Sequence, residues 1–461
     1  MPASGRPLWS LAATELAVAY REGLSPREVI DATLARIRQL NPQLNAIVTL
    51  DEAGAIDAAD QSAERWKQGR AIGPLDGVPV TIKDNILVAG LRATWGSWLY
   101  ADYVPDQDEL PVQRLCEAGA VILGKTNVPE FTLHGFTDNL LFGTTGNPWN
   151  AALTPGGSSG GAVAAVASGM GALALGTDGG GSIRRPAAHT GLIGFKPSRD
   201  TVKRGAGFPA ILHDFEVIGP IARSMDDIVA CMEVIAGPAW PRLQREAAAE
   251  TPRIAYAPTF GDAPVDPVIQ KTIEGTIVRA RTLGLAVETL SHFDLTEPLA
   301  EVWPVISQTG VAWLLSRHAN WQEKVGAAIA EMAAKGDQLT ARDYLDALDA
   351  IATMRGAFGR LFDAYDFLIT PATAAMPWPA NETHPSVIDG KPVGPRGHAV
   401  FTAVANALGL PAISLPCVVE GDAMPVGLQI IAAQDRDWPL LAFARAYEGK
   451  LFLHRWPSAG V

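Results

Sequence analysis

Residues 154–186 read TPGGSSGGAVAAVASGMGALALGTDGGGSIRRP, with two glycine–serine turns, at Ser158 and Ser182, 24 positions apart. Between the turns, residues 160–168 are all Gly, Ala, Val or Ser, which suits a tightly packed helix, and residues 172–175 suit a buried strand. A helix of that length rises roughly 14 Å and a strand with its flanks returns about as far, so both turns come to the same end of a sheet. The spacing predicts an α/β scaffold that carries a two-serine site.

Upstream, Ser25-Pro26-Arg27-Glu28 has the order of a helix start: an N-cap, a proline at the first helical position and a capping-box partner. A helix is predicted from there to about Leu40, between periodic stretches at 11–20 and 51–67, so the first 70 residues read as helical and hold no obvious chemistry. From residue 78 onward, short β-branched runs alternate with helical stretches, the pattern of an α/β sheet wrapped by helices. Strands are predicted at 78–82, 120–123, 173–175, 253–256, 367–369, 412–415 and 426–430. The block 297–362 reads as helical and is expected to cover one side of the sheet. Residues 200–207 and 378–397, rich in Gly, Pro and charge, are candidate pocket loops or lids.

Of the 461 residues, 48% are hydrophobic and 19% charged, enough apolar material for an extended core and too little charge for a disordered chain. That length leaves one large domain or two open. A net charge of −12 lacks the basic field that nucleic acid or an anionic membrane would require. Cys116, Cys231 and Cys417 form neither a C-x-x-C pair nor an even framework and read as reduced core residues, in keeping with a reducing cytoplasm. The start, MPASGRPLWSLAATELAV, is broken by Pro7, Ser10 and Glu15 and lacks the apolar region of a signal peptide. No run approaches the roughly 20 apolar residues of a membrane span. A soluble, cytoplasmic protein is expected.

Chemistry gathers at the second turn. Gly179, Gly180 and Gly181 permit positive φ and close approach, so backbone N–H groups before Ser182 can converge as an oxyanion hole. A serine must lose its proton to attack, and no histidine near either turn obviously serves. Lys83 follows the apolar run VPVTI, and burial there would lower its pKa toward the neutral amine, a competent base.

In GPLDGVPVTIKDNI, PGGSSGG and GTDGGGSIRRPA the chain resembles the amidase signature family, which uses a Ser, cis-Ser, Lys triad. The resemblance continues through LCEAGAVILGKTNVPEF, GLIGFKPS, GPIARSMDD, GLPAISLP and MPVGLQII, and more loosely through the helical start. It implies a large mixed central β-sheet covered on both faces by α-helices, with residues 1–72 a mainly helical segment packed on the core and 73–461 the amidase signature domain. It makes Ser182 the acylated nucleophile, Ser158 the relay after a cis peptide bond, and Lys83 the base acting through Ser158. The N–H groups of Gly179, Gly180 and Gly181 become the oxyanion hole, with Asp178, Ser159 and Arg184 bracing the loop. No metal or organic cofactor is implied. The expected ligand is a small amide or carbamate, without nucleic acid or membrane, and the expected state is a monomer or homodimer.

Other readings of the same residues are weaker. A Gly-Ser-rich stretch is commonly a linker, but the paired second turn argues otherwise. PGGSSGG also satisfies G-x-S-x-G at Ser158 or Ser159, yet that nucleophile elbow needs a strand directly before it, and Thr154-Pro155-Gly156 is none. A phosphate-binding loop needs Lys and then Ser or Thr after its second Gly, which neither turn supplies. A lysine after a strand is commonly a solvated strand end, so Lys83 rests mainly on the resemblance. Asp84 reads as a turn anchor, and His134, His189 and His213 as core or surface residues. Arg185 is expected to meet a neighbouring carboxylate rather than a substrate. Most of the 12 tryptophans belong in the core, with Trp95, Trp98 and Trp149 placed where they could line an apolar pocket.

Three functions follow. The first is a free-standing amidase on small or aryl amides, extending to carbamates, of the aryl acylamidase, urethanase or nylon-oligomer hydrolase type; GGGSIRRPAAHTGLIGFKPS is nearest to that branch. The second is an amidotransferase subunit that releases ammonia from glutamine with partner subunits, whose usual motif has Thr and Gln where this chain has Gly179 and Arg185. The third, a non-catalytic binding protein on the same fold, is disfavoured by the intact triad.

Overall fold

The computed structural model describes residues 5–238, 240, 251–419 and 423–457. Its start folds largely as read: helix α1 (Ala13–Arg21) precedes α2 (Pro26–Leu44), and α3 (Glu52–Lys67) follows, ahead of α4 (Leu110–Glu117). Ser25 Oγ accepts from Arg27 N at 3.2 Å and Glu28 Oε2 accepts from Ser25 N at 3.1 Å, so the capping box that opens α2 is formed. Between α2 and α3 lies a strand that was not expected, β1 (Ile47–Leu50). Only Ile47 of its four residues is buried, so the strand carries no alternation to detect.

The other strands are β2 (Pro79–Lys83), β3 (Val121–Thr126), β4 (Leu173–Asp178), β5 (Ile193–Lys196), β6 (Val217–Ala222), β7 (Arg253–Tyr256), β8 (Ala286–Thr289), β9 (Phe367–Pro371), the hairpin β10 (Val387–Ile388) and β11 (Lys391–Pro392), β12 (Ala412–Pro416) and β13 (Gly427–Ala432). Eleven of them form one sheet in the order β1-β3-β2-β4-β6-β5-β12-β13-β9-β7-β8. The sheet is mixed: β2 runs parallel to β3 and β4, and β7 parallel to β8 and β9, while the remaining ladders are antiparallel. All seven predicted strands are present; six run one to three residues further at their C-terminal ends, and three start one residue later. Four strands of the large sheet, β1, β5, β6 and β8, and the hairpin were not predicted. In β6, VIGPIA, Gly219 and Pro220 read as breakers, yet a Cβ at Gly219 would stand 2.1 Å from Phe195 O, so the close approach of β5 admits only glycine. Along β8 only Val287 is buried, which leaves no alternation to detect.

Both faces of the sheet are covered. Along β4, Leu173 and Leu175 join the largest core cluster, whereas Ala174 turns the other way onto α5 (Gly160–Ala167) and α6 (Arg184–Thr190). A strand buried on both sides reads as a continuous apolar run, which is why LALG was legible. Helix α5 is itself wedged between two layers: Ala164 and Ala165 face α2, α3 and β3, while Ala162, Val163 and Val166 face β4 and α6. All eight of its residues are buried. The block 297–362 is helical as expected, with helices at Leu299–Leu315, Ala327–Gly336 and Ala341–Ala364. Its first two helices also line the cavity beside Ser182, a position the sequence did not assign them.

One cysteine departs from expectation. Cys231 and Cys417 are buried, but Cys116 is exposed, because it falls on the outward face of the amphipathic helix Leu110–Glu117 whose Val112 and Leu115 point inward. Among the described residues, no helix is long and apolar enough to cross a membrane.

The wedge around α5 makes a steric prediction. A Cβ at Gly161 would meet Asn127 N at 2.3 Å and Ala46 O at 2.5 Å, both backbone atoms that cannot rotate away. Gly161→Ala is expected to destabilise the fold by about 1–3 kcal/mol through overpacking, read as a lower urea midpoint at unchanged slope.

Candidate active site

Lys83 is the last residue of β2, and Thr177 and Asp178 end the parallel neighbour β4, so all three emerge at the same edge of the sheet. Every residue of β2 is buried, Lys83 included. Its Nζ lies 2.8 Å from Ser158 Oγ, 2.8 Å from Thr177 Oγ1 and 3.0 Å from Thr177 O. Burial pushes its pKa down to about 7, against the pull of Glu216 and Asp178, which favour the charged form.

The Gly157–Ser158 peptide bond is cis, as the resemblance implies. Ser158 and Ser159 lead directly into α5, which carries the chain away from the site, and β4 brings it back. The two turns then touch: Ser159 N donates to Ser182 O at 3.1 Å, and Ser159 Oγ donates to Thr177 O at 3.3 Å. The spacing that predicted a shared sheet end is therefore the geometry found. The Ser158 and Ser182 hydroxyls are not hydrogen-bonded to each other; Ser182 opens instead onto a cavity of about 430 Å³.

The loop between β4 and α6 is held by Asp178. Its Oδ1 accepts from Gly181 N at 2.6 Å and from Asn406 Nδ2 at 2.9 Å, and its Oδ2 accepts from Ile183 N at 3.0 Å. Arg184 grips both oxygens, Nη2 to Oδ1 at 2.8 Å and Nε to Oδ2 at 3.0 Å. Burial alone would raise the Asp178 pKa, but the Arg184 guanidinium holds it well below the usual carboxylate range. The fully buried Arg184 also donates to Gln429 Oε1 at 2.6 Å and Thr402 O at 3.0 Å, tying the loop to β13 and to the helix Ala403–Ala407. Gly181 takes φ +112°, a conformation that suits glycine, and a Cβ there would collide with Thr402 Oγ1 at 2.1 Å. With Gly181 N–H on Asp178, the N–H groups of Gly179 and Gly180 are the remaining glycine donors of the loop.

Several expectations change. Arg185 meets no carboxylate among the described residues: its Nη1 donates to Gly180 O and Thr402 Oγ1, and the nearby Asp178 is already engaged by Arg184, Asn406 and backbone. The segment 200–207 is no lid over the cavity. Its Arg204 turns inward to bond Glu109 Oε2 at 2.7 Å, Glu216 Oε1 at 2.5 Å and Asn85 O at 3.0 Å, behind Lys83. The segment 378–397 does reach the cavity, through Thr383, Pro395 and Arg396. Asp84 is an anchor as expected, accepting from Thr94 N at 3.0 Å beside Lys125. His189 is buried, with Nε2 3.1 Å from Ala375 O, and His213 faces Tyr344, but His134 lies in the cavity wall, stacked on Phe136. Trp95 packs in an aromatic cluster with Phe131 and Phe208, Trp98 is exposed, and Trp149 Nε1 donates to Thr190 O at 2.9 Å. The tryptophan that lines the cavity is Trp303, from the helical block.

Residues missed in the sequence are those that hold Lys83, Asp178 and Arg184 in place. Thr177 and Asn85 stand inside the quoted motifs, and their neighbourhood was a usable signal; Asn85 Nδ2 donates to Thr177 Oγ1 at 3.0 Å. Glu109, Glu216, Asn406 and Gln429 arrive from remote segments with no local pattern. Among the described residues, no cluster of three His, Cys, Asp or Glu side chains is arranged to hold a metal ion. The Asp178 knot predicts that Asp178→Asn, which leaves Arg184 as an unpaired buried cation, lowers stability by about 3–5 kcal/mol in urea unfolding.

A family model described as Amidase matches residues 28–441. The chain is 34% identical over 454 residues to an acylamidase of Rhodococcus erythropolis, with 95% of each chain covered. It is 34% identical over 468 residues to a glutamyl-tRNA(Gln) amidotransferase subunit of Symbiobacterium thermophilum, covering 92% of this chain and 93% of that one. It is also similar to the crystal structure of a bacterial aryl acylamidase of the amidase signature enzymes, at 27% identity and a TM-score of 0.85 over 95% of both chains. With the sheet, the two serine turns and these likenesses in agreement, the chain belongs to the amidase signature family.

Proposed function

We propose that this chain is an amidohydrolase that works without partner subunits and cleaves a carboxamide C–N bond through an acyl-enzyme on Ser182. The observation that carries the proposal is the buried contact of Lys83 Nζ with Ser158 Oγ at 2.8 Å. A neutral amine has two N–H groups and one lone pair. Thr177 O and Thr177 Oγ1 take the two donors, which leaves the lone pair for the Ser158 hydroxyl proton. Lys83 then makes Ser158 a proton acceptor for Ser182, once a turn of the Ser182 side chain brings the two hydroxyls together.

In the first step Ser182 Oγ bonds the substrate carbonyl carbon as its proton passes to Ser158 and that of Ser158 to Lys83. The oxyanion forms beside the N–H groups of Gly179 and Gly180. Its collapse breaks the C–N bond, and the amine leaves with a proton returned along the same path. Water then attacks the acyl-enzyme as its proton passes to Ser158 and that of Ser158 to Lys83, and collapse breaks the ester bond, returns the proton through Ser158 to Ser182 Oγ and releases the acid. The cavity wall, with Phe136, Trp303 and Met332, suits an aryl or small aliphatic amide, and a carbamate presents the same carbonyl. Similarity to the acylamidases supports this class.

A second reading, an amidotransferase subunit, is favoured by the equal identity to the Symbiobacterium protein. One assay separates the two. The purified chain alone is expected to hydrolyse 4-nitroacetanilide and to form a fluorophosphonate adduct on Ser182; an adduct without turnover would favour the amidotransferase reading, and no adduct would remove Ser182 from the mechanism.

The pH dependence follows from Lys83. Its pKa is lowered to about 7, and the base must be neutral, so kcat/KM is expected to fall as pH drops below about 7 and to level off above it. Lys83→Ala is expected to cost roughly 10²–10⁴-fold and to abolish that acidic limb. A flat profile between pH 5 and 8, or an unchanged rate in Lys83→Ala, would contradict the assignment.

A further inference from the structure

The cavity beside Ser182 carries positive charge that the protein does not neutralise. Arg185, 4% exposed, gives its hydrogen bonds to uncharged acceptors only, Gly180 O, Thr402 Oγ1 at 3.1 Å and Gly157 O at 3.5 Å, and its Nε has no partner. Arg396, half-buried on the segment that leads into the helix Ala403–Ala407, lays its guanidinium over the Trp303 ring at 4.0 Å. That guanidinium makes no hydrogen bond or ion pair with any described residue. Asp178 is held by Arg184, and the carboxylate in the cavity wall, Glu331, by Lys335 at 2.7 Å; Asp262 and Glu297 line the adjoining pocket that Trp303 and Arg396 also border, and neither forms an ion pair with Arg396. His398, 3% exposed in the same wall, has both ring nitrogens without a partner, and burial with the two arginines keeps it neutral.

Two cations in one partly enclosed cavity repel each other and lose hydration. Burial lowers Arg396 to about 9, with Arg185 adding to the effect, and lowers Arg185 to about 10. Such an arrangement is costly in the free protein and is relieved by an anion. It is all the more specific in a chain whose net charge is −12. With its Cζ 4.0 Å over the indole centroid and its N–H groups without a described protein partner, the Arg396 guanidinium is left to a ligand, and a carboxylate is the planar anion that can take two such N–H groups at once.

We propose that the cavity contains a carboxylate subsite, with Arg396 as the contacting group and Arg185 as the second cation behind it, so that the preferred substrate is an amide bearing a free carboxylate. The assignment of a scissile amide rests on the hydrolase proposed for Ser182; the binding of the anion does not.

The test is calorimetric, on full-length Ser182→Ala protein, with three anilides: glutaranilate, charged on the acyl side; 4-acetamidobenzoate, charged on the amine side; and neutral valeranilide. At least one of the charged pair is expected to bind roughly tenfold to a hundredfold tighter than the neutral one, and which of them does so tells whether the subsite serves the acyl or the amine side. Arg396→Met is expected to remove most of that ratio and Arg396→Lys to keep part of it. Equal or tighter binding of valeranilide than of both charged anilides overturns the subsite without using any variant, and so does a ratio unchanged in Arg396→Met. Turnover by the native enzyme is scored separately. Hydrolysis of 4-nitroacetanilide with no anionic preference in binding keeps the hydrolase and discards the subsite, whereas anionic preference without hydrolysis of any anilide does the reverse.

Discussion

The carboxylate of Asp178 is the point on which the site depends. It ends a central strand buried on both faces, and the chain beyond it, three glycines and a serine, has almost no side chains with which to define its own shape. A sequence of that kind loses more backbone entropy on ordering than most. Asp178 supplies the missing constraint by collecting N–H groups from the loop and the Arg184 guanidinium at once. Through Arg184 the constraint continues into Thr402 and Gln429, 218 and 245 positions away in the chain. Such networks are worth more when complete than their separate bonds suggest, and worth little when half satisfied. The position of Ser182 is in this sense a property of the whole sheet.

Around Lys83 the decisive quantity is a balance. Desolvation at the end of β2 drives the amine toward neutrality, and the strongest opposing pull comes from Glu216. Arg204 engages Glu216 and Glu109 together from the far side, so the acidic charge behind the lysine is matched by a guanidinium rather than left to hold the proton there. The segment that carries Arg204 looked like a lid because it is rich in glycine and charge. Its charge is turned inward, and composition does not reveal the direction in which a side chain points.

What could be read from the sequence follows from locality. Strands buried on both faces announced themselves as apolar runs, and α2 announced itself by its capping box. The two serine turns could be brought together because a helix and a strand of similar reach lie between them, and the Ser159 to Ser182 contact has that origin. By contrast β5 and β6 approach so closely that a Cβ at Gly219 would stand 2.1 Å from Phe195 O, and β8 is an edge strand with one buried residue; none of the three has a local signature. The same limit explains Arg185. It stands beside an arginine that does pair with a carboxylate, and only the fold decides which of two adjacent guanidinium groups reaches Asp178. Trp303, Arg396 and His398 were illegible for a further reason: they come from separate segments that meet only around the cavity.

Strand β1 has a consequence for where the chain can be cut. It lies at the margin of the sheet, with Thr49 opposite Lys125 and Leu50 opposite Gly124 of β3, so it closes the hydrogen-bonding edge next to the strand that neighbours Lys83. Proteolysis or truncation near residue 72 would therefore not shed a removable helical leader. It would strip off the margin of the sheet, expose the unpaired amides and carbonyls of a buried strand, and leave a core that recruits another strand from solution, as open β-edges do in aggregation and domain swapping. Strand β1 thus covers the edge of β3, although the segment that carries it holds none of the residues proposed for catalysis.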